Sequence, residues 1–262
     1  MKAVFSIFIA VILSAFLGAC SKSSKPNKPK DDSGIRTQSE SWQKDFPTHW
    51  WQPISRDQAQ AWEILPQDAG FKEVILSKRN ELGILSNFAE TPFVFHGICY
   101  PTIEAFWQMM KYPESREDIR WSWIQKWKYT RQQVSQMNGY SAKHAGSFAN
   151  SLMEKNQVNW VTFEGRQIQF YKKTPGEHHD LIAQALLEKV RQNSQVLEIL
   201  LKTKDLTLKP DHHVDENSPR EWHYNLLWMD IRSGLQNGTI SQETSEDISL
   251  KTCKAKSYPT RN

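Results

Sequence analysis

Glu104, Gln108 and Lys111 follow one another at spacings of four and three residues, so on a helix a carboxyl, an amide and an amine share one stripe. A carboxylate there can hold a developing positive charge or take a proton from water, and an amine beside it can bind a phosphate. Ile103, Phe106, Trp107 and Met110 surround the stripe with large apolar groups, which suits a cleft wall. Upstream, Ser86-Asn87-Phe88 supplies a second amide and an aromatic ring. Glutamate is favoured in any first helical turn, and the same spacing serves ordinary surface pairing, so the pattern by itself leaves both readings open.

The elements that must position these groups can be read next. Pro101 and Thr102 are helix-start signals, and they predict a helix running to about Tyr112, just before Pro113. Helical periodicity recurs over residues 114–128, 141–154, 181–191 and 221–235. In the first of these Ile119, Trp123, Ile124 and Trp127 read as a core-facing stripe, and in the last Leu227, Ile231 and Leu235 do. Strand candidates are short: 73–76, 93–95 and 207–208. The expectation is an α+β, predominantly α-helical single domain over residues 41–237. The 11 Trp and 12 Phe of the 262-residue chain are enough for a sizeable core. Heptads, internal repeats, GxGxxG, HExxH and a Walker motif are all missing from the sequence.

A formal charge of +4 is mild and carries no strong nucleic-acid signal. The histidine pairs His178-His179-Asp180 and Asp211-His212-His213 mix imidazole with carboxylate. Neighbouring side chains point apart on most backbones, so each pair offers one ligand, and neither a metal nor a cofactor is assigned. Polar surface, or a contact to an organic phosphate, is the reading preferred for them. Cys99 and Cys253 could pair in an oxidising compartment, but their proximity cannot be read from sequence, and that pairing stays open.

The ends of the chain speak of location. Met1-Lys2, an apolar run over residues 3–16 and Leu17-Gly18-Ala19-Cys20 have the order of a bacterial lipoprotein signal: residues 1–19 removed, Cys20 lipidated, and the protein held on a membrane of the cell envelope, periplasmic or outer-surface. The apolar run is short of the roughly 20 residues that span a bilayer. Residues 20–40, rich in Ser, Lys, Pro, Asn and Asp, read as a flexible tether, and 238–262 as a loosely ordered polar tail.

Taken together, Ser86-Asn87-Phe88, the His96-Gly97 turn, Tyr100-Pro101-Thr102 with Glu104 and Gln108, and Lys111-Tyr112 resemble the signature of the NADAR, or YbiA-like, family. The resemblance continues through Ala142-Lys143, Gly146, Asn159-Trp160, Ala185-Leu186, Lys189, Leu200-Leu201-Lys202-Thr203 and Ile231-Arg232, and covers residues 73–235. It implies hydrolysis of a ribose–nitrogen bond, as in ribosylaminopyrimidine phosphates of the riboflavin pathway or in ADP-ribosyl compounds. Glu104 would be the catalytic carboxylate, kept ionised by its helix end. Asn87 would hold a ribose hydroxyl or the leaving base, and Lys111 a phosphate. Phe88, Trp107 or Trp160 would stack on the base, and Gln108 and Asp211 would complete the substrate contacts. One departure stands out: better-known members carry Asp-x-x-Trp-Gly before the last helix, where this chain has Lys209-Pro210-Asp211-His212-His213 and then Trp222 without that glycine. The alternative is a non-catalytic envelope lipoprotein binding an ADP-ribose- or NAD-like ligand. Glu104, Asn87 and Lys111 together speak for a working site, since a structural role makes no chemical demand on that triplet.

Overall fold

The computed structural model describes residues 42–255. The signal sequence with Cys20 and the tether lie outside the described residues. Within them the architecture is mixed α+β: helices dominate, and the strands form three two-stranded ribbons.

One ribbon is parallel. β1 (Glu73–Ile75) pairs with β6 (Thr207–Lys209), Val74 opposite Leu208. The other two are hairpins, β2 (Phe93–Phe95) with β3 (Ile98–Tyr100) and β4 (Trp160–Phe163) with β5 (Arg166–Gln169). Each hairpin turns through two residues of positive φ, His96 and Gly97 in one, Glu164 and Gly165 in the other. Two-residue turns that match the twist of antiparallel strands need this conformation, and glycine adopts it without a Cβ penalty. β3, β4 and β5 were not foreseen as strands.

α1 (Ile103–Met109) is the central element, and every residue in it is buried. Thr102 caps it as expected, its hydroxyl accepting from the Ala105 amide at 3.0 Å. It is shorter than predicted because two buried arginines take over its carboxyl end. Arg120 donates to the carbonyls of Met110 and Lys111 at 3.1 and 2.9 Å, and Arg131 to that of Tyr112 at 2.9 Å. The orphan carbonyls of a helix end are thereby satisfied without another helical turn.

The helix expected over 114–128 is instead a 3-10 segment, Ile119–Lys126, kinked at Trp123. Only half of its expected apolar stripe meets the core: Trp123 and Trp127 pack against it, while Ile119 is 64% and Ile124 38% exposed. What the segment buries is Arg120, whose guanidinium serves α1 and whose ion pair with Asp118 fixes the local turn. α2 (Arg131–Ser135) follows behind a capping box formed by Thr130 and Gln133.

α3 (Gly139–Lys155) packs along α1, and α4 (Glu177–Arg191), α5 (Ser194–Lys202) and α6 (Tyr224–Asn237) complete the layer. Phe106 of α1 sits among the rings of Phe93, Phe95, Tyr100 and Phe163, which joins both hairpins to the helices.

The polar segment after α6 is not loose over its described part. Ser245 and Ile248 donate backbone amides to Arg191 and Gln192, and Asp247 accepts from the amide and hydroxyl of Ser194 at 2.8 and 2.7 Å. A short helix, α7 (Leu250–Ala255), then brings Cys253 into a disulfide with Cys99 of β3. Side-chain bonding to a helix corner, invisible in composition, orders a segment that has few apolar residues of its own. Among the described residues no helix is long and apolar enough to cross a membrane.

Candidate functional site

Glu104 lies in the first turn of α1 and is 5% exposed. Its Oε1 accepts from Gln108 Nε2 at 2.8 Å, and its backbone amide donates to the Asn87 carbonyl at 2.9 Å. The stripe is therefore buried and internally bonded, which disposes of the surface-pairing reading. Gln108 is itself wedged against α3: a Cβ on Gly146 would stand 1.7 Å from Gln108 Oε1. Glycine at that position lets the amide enter the helix interface. Lys111 is also buried, its Nζ 5.8 Å from the Phe170 ring centroid.

Burial sets the protonation chemistry. It pushes the Glu104 carboxyl above its ordinary value, outweighing the opposing pull of Lys143, Gln108, Lys111 and His212. The same desolvation brings Lys111 down to about 7, in spite of the nearby Glu104 charge. The expectation of a carboxylate kept ionised by the helix end is thus corrected: dehydration dominates over the end of so short a helix. Burial thus moves the carboxyl up and the amine down, and each feels the other's charge through a dehydrated interior.

Of three contributors at the rim, Tyr140 escaped the sequence reading, and Lys143 and His212 were noted there without a role at this carboxyl. Lys143, on the first turns of α3, is exposed and close enough to act on Glu104. His212 acts on it as well, and its Nδ1 is 2.9 Å from Asp211 Oδ1. Tyr140 is 68% exposed and meets Phe88 edge-on with ring centroids 5.0 Å apart. Tyr140 and Lys143 are three residues apart on one helix, a signal that was present but unremarkable until α3 was seen beside Asn87 and Phe88.

Of the residues singled out earlier, Glu104, Gln108, Lys111, Asn87 and Phe88 come together. The Asn87 Oδ1 is buried without a partner, and so is Gln108 Oε1. Buried acceptors of this kind are rare in native folds and mark places where a ligand group can bind. Asp211 joins the same wall through ion pairs to Lys78 and His212. Burial raises it, but the bonds from His212 and Lys78 prevail and hold it below the ordinary carboxylate range. Lys78 in turn lies 5.6 Å from the centroid of Phe88.

Trp160 and Trp107 have other tasks. The guanidinium of Arg120 rests 4.6 Å from the Trp160 ring centroid, so that ring supports the cap of α1. Trp107 is buried edge-on against His178 at 5.3 Å. His178 bonds Glu221 at 2.6 Å and His179 bonds Asp180 at 3.0 Å, while His212 bonds Asp211. No group of three or more metal-ligating side chains occurs among the described residues.

Two surface hollows are not lined by Glu104. One, of about 480 Å³, runs between the end of α3 and β5 and is lined by Asn150, Val158, Phe170 and Tyr171 among others. Another is bounded by Arg191 and Ser245.

No family model matches the sequence, and no curated protein matches it. Among solved structures the chain is similar to the NMR structure of the E. coli protein YbiA, at 17% identity and a TM-score of 0.41, over 66% of this chain and 91% of that one.

Proposed function

We propose that the protein is an N-glycosidase that hydrolyses a ribose–nitrogen bond in a nucleotide-like substrate. The observation that carries the proposal is Glu104: a buried carboxyl with one oxygen fixed by Gln108 and within electrostatic reach of Lys111, Lys143 and His212. The motif resemblance over residues 73–235 points the same way.

In this reading the sugar sits over Glu104. As the C1′–N bond lengthens, its electron pair leaves with the base and positive charge develops on the ribose, which the carboxylate stabilises. Water attacks C1′ and gives its proton to Glu104, while the departing base nitrogen receives a proton from Lys111. Transfer from Glu104 to Lys111 then restores both groups, so the net change is addition of water across the bond. Asn87 Oδ1, buried without a partner, would accept from a ribose hydroxyl or the base. The Phe88–Tyr140 pair would meet the base, and Lys143 a phosphate, since Lys143 is exposed where Lys111 is buried.

The test is release of free base from ribosylaminopyrimidine phosphates, NAD and ADP-ribosylated guanine by the native protein and by Glu104→Gln. We expect release from one class, reduced about a hundredfold or more by the substitution. Saturable binding without release would support the ligand-binding alternative.

Anchoring through lipidated Cys20 is part of the proposal. The Leu17-Gly18-Ala19-Cys20 motif supports it, and the Cys99–Cys253 disulfide suits an oxidising envelope compartment. Cys20→Ala should release the protein from the membrane fraction. Unchanged processing and membrane association would overturn the anchoring.

A further inference from the structure

The Ile84–Phe88 segment carries Asn87 and Phe88 to the site, and its backbone is held in an unusual way. Four successive carbonyls are captured by three groups from other parts of the fold. Lys189 Nζ donates to Ile84 O at 2.8 Å and to Ser86 O at 3.0 Å. Between them, Trp228 Nε1 donates to Leu85 O at 2.6 Å. The fourth, Asn87 O, accepts from the amide of Glu104 itself.

Lys189 is fully buried on α4, and its Nζ stands 5.6 Å from the ring centroid of Trp228. A lysine is a costly choice for such a place, because desolvating an ammonium is unfavourable without a counter-charge, and burial alone brings this one down to about 7. An apolar side chain would pack there with less penalty. What it would not do is tie two alternate carbonyls with one atom and so fix the path of the backbone between them. The rest of α4 continues the same splint. Asn193 just beyond it donates to Pro92 O, and Gln192 exchanges both bonds with the backbone of Val94.

We infer that Lys189 is a positioning residue for the proposed reaction: by clamping Ile84 O and Ser86 O it sets where Asn87 and Phe88 stand relative to Glu104. The inference deepens the N-glycosidase reading, but its geometric part can be tested without any turnover. The Glu104 amide is the reporter, because its acceptor lies on the clamped loop. The Thr207 amide is the control, because it bonds Lys72 O in the β1–β6 ribbon.

Amide hydrogen exchange is followed by NMR on the full-length protein and on Lys189→Met. We expect exchange at Glu104 to accelerate by about tenfold or more while Thr207 is unmoved, since a local opening is being eased and not global unfolding. With the substrate identified by base release, kcat should fall about a hundredfold, the scale of an ångström-sized misplacement. Unchanged Glu104 exchange in folded Lys189→Met, or equal acceleration at both amides, would overturn the positioning role. Should Lys189→Met fail to fold, Lys189→Gln keeps a donor but is too short to hold both carbonyls with one atom, and it must accelerate Glu104 about threefold selectively, or the inference is wrong. A native protein that releases no base, yet shows the selective exchange effect, would refute the glycosidase reading and leave the clamp standing.

Discussion

Gly146→Ala puts the packing of the site to a quantitative test. A helix interior gains about 1 kcal/mol when glycine becomes alanine, so on propensity alone the variant should be more stable. The contact reverses that sign. The new Cβ would lie 1.7 Å from Gln108 Oε1, 2.2 Å from its Cδ and 2.8 Å from its Cγ, where ordinary contact starts at 3.4 Å. The amide must retreat by the difference, about 1.7 Å, and cannot do so and keep its 2.8 Å bond to Glu104. Losing a hydrogen bond to an ionisable buried partner costs about 1.5 to 3 kcal/mol, and forcing a filled interface costs about 1 to 3 more. Set against the propensity gain, the net loss is about 2 to 5 kcal/mol. Thermal unfolding reads it as a fall of about 5 to 15 °C for a domain of this size. In a Gln108→Ala background the clash is gone and Gly146→Ala should become stabilising, a reversal that the double-mutant cycle isolates. Equal or higher stability of the single variant, with the base-release rate untouched, would refute the wedge of Gln108 between α1 and α3.

Other expectations concern the disulfide and the buried amines. Cys99 and Cys253 are 154 residues apart in sequence, and closing a loop of that length stabilises by up to about 5 kcal/mol in the chain-entropy model. Replacing both by alanine, or adding a reductant, should lower the denaturation midpoint correspondingly, and identical midpoints with and without reductant would show that the pair is not formed. Lys189 is brought from 10.5 to about 7 by burial. Between those values the unfolded chain carries a proton that the folded chain has lost, so stability rises with pH across the window, by up to about 1.4 kcal/mol per unit. Below about 7 both states are protonated and this contribution to the slope vanishes; Lys189→Met should remove it from urea midpoints measured at pH 7, 8 and 9. The base-release rate should fall as pH rises through about 7, where Lys111 gives up its proton, and fall again on the acid side as Glu104 is protonated at a value above the usual carboxylate range. A flat profile from pH 5 to 9 would remove the pair from the mechanism.

Local signals were legible where local physics decides. The start of α1 at Thr102, the polar stripe and the strands β1, β2 and β6, though not their pairing, could be read because capping and periodicity act within a few residues. The end of α1 could not, since Arg120 and Arg131 fold back onto it from the two segments that follow, beyond the reach of helical periodicity. Their burial also explains why Ile119 and Ile124 face water although their spacing suggests a helix. β4 and β5 are short and alternate weakly, and only the Glu164-Gly165 turn marks them. At the site, residue types announced Glu104, Gln108 and Lys111, but the protonation state depended on burial and on Lys143 and His212, which approach from other elements. The Cys99–Cys253 bond was equally a matter of proximity that spacing could not supply.

The most direct measurement separates binding from chemistry at Glu104. For the compound whose base is released, Glu104→Gln should hold the intact molecule within about threefold of native affinity while turnover falls about a hundredfold or more, because an interaction made chiefly in the transition state is what the substitution removes. Native-like turnover in a folded Glu104→Gln protein would contradict a carboxylate-driven cleavage of the ribose–nitrogen bond.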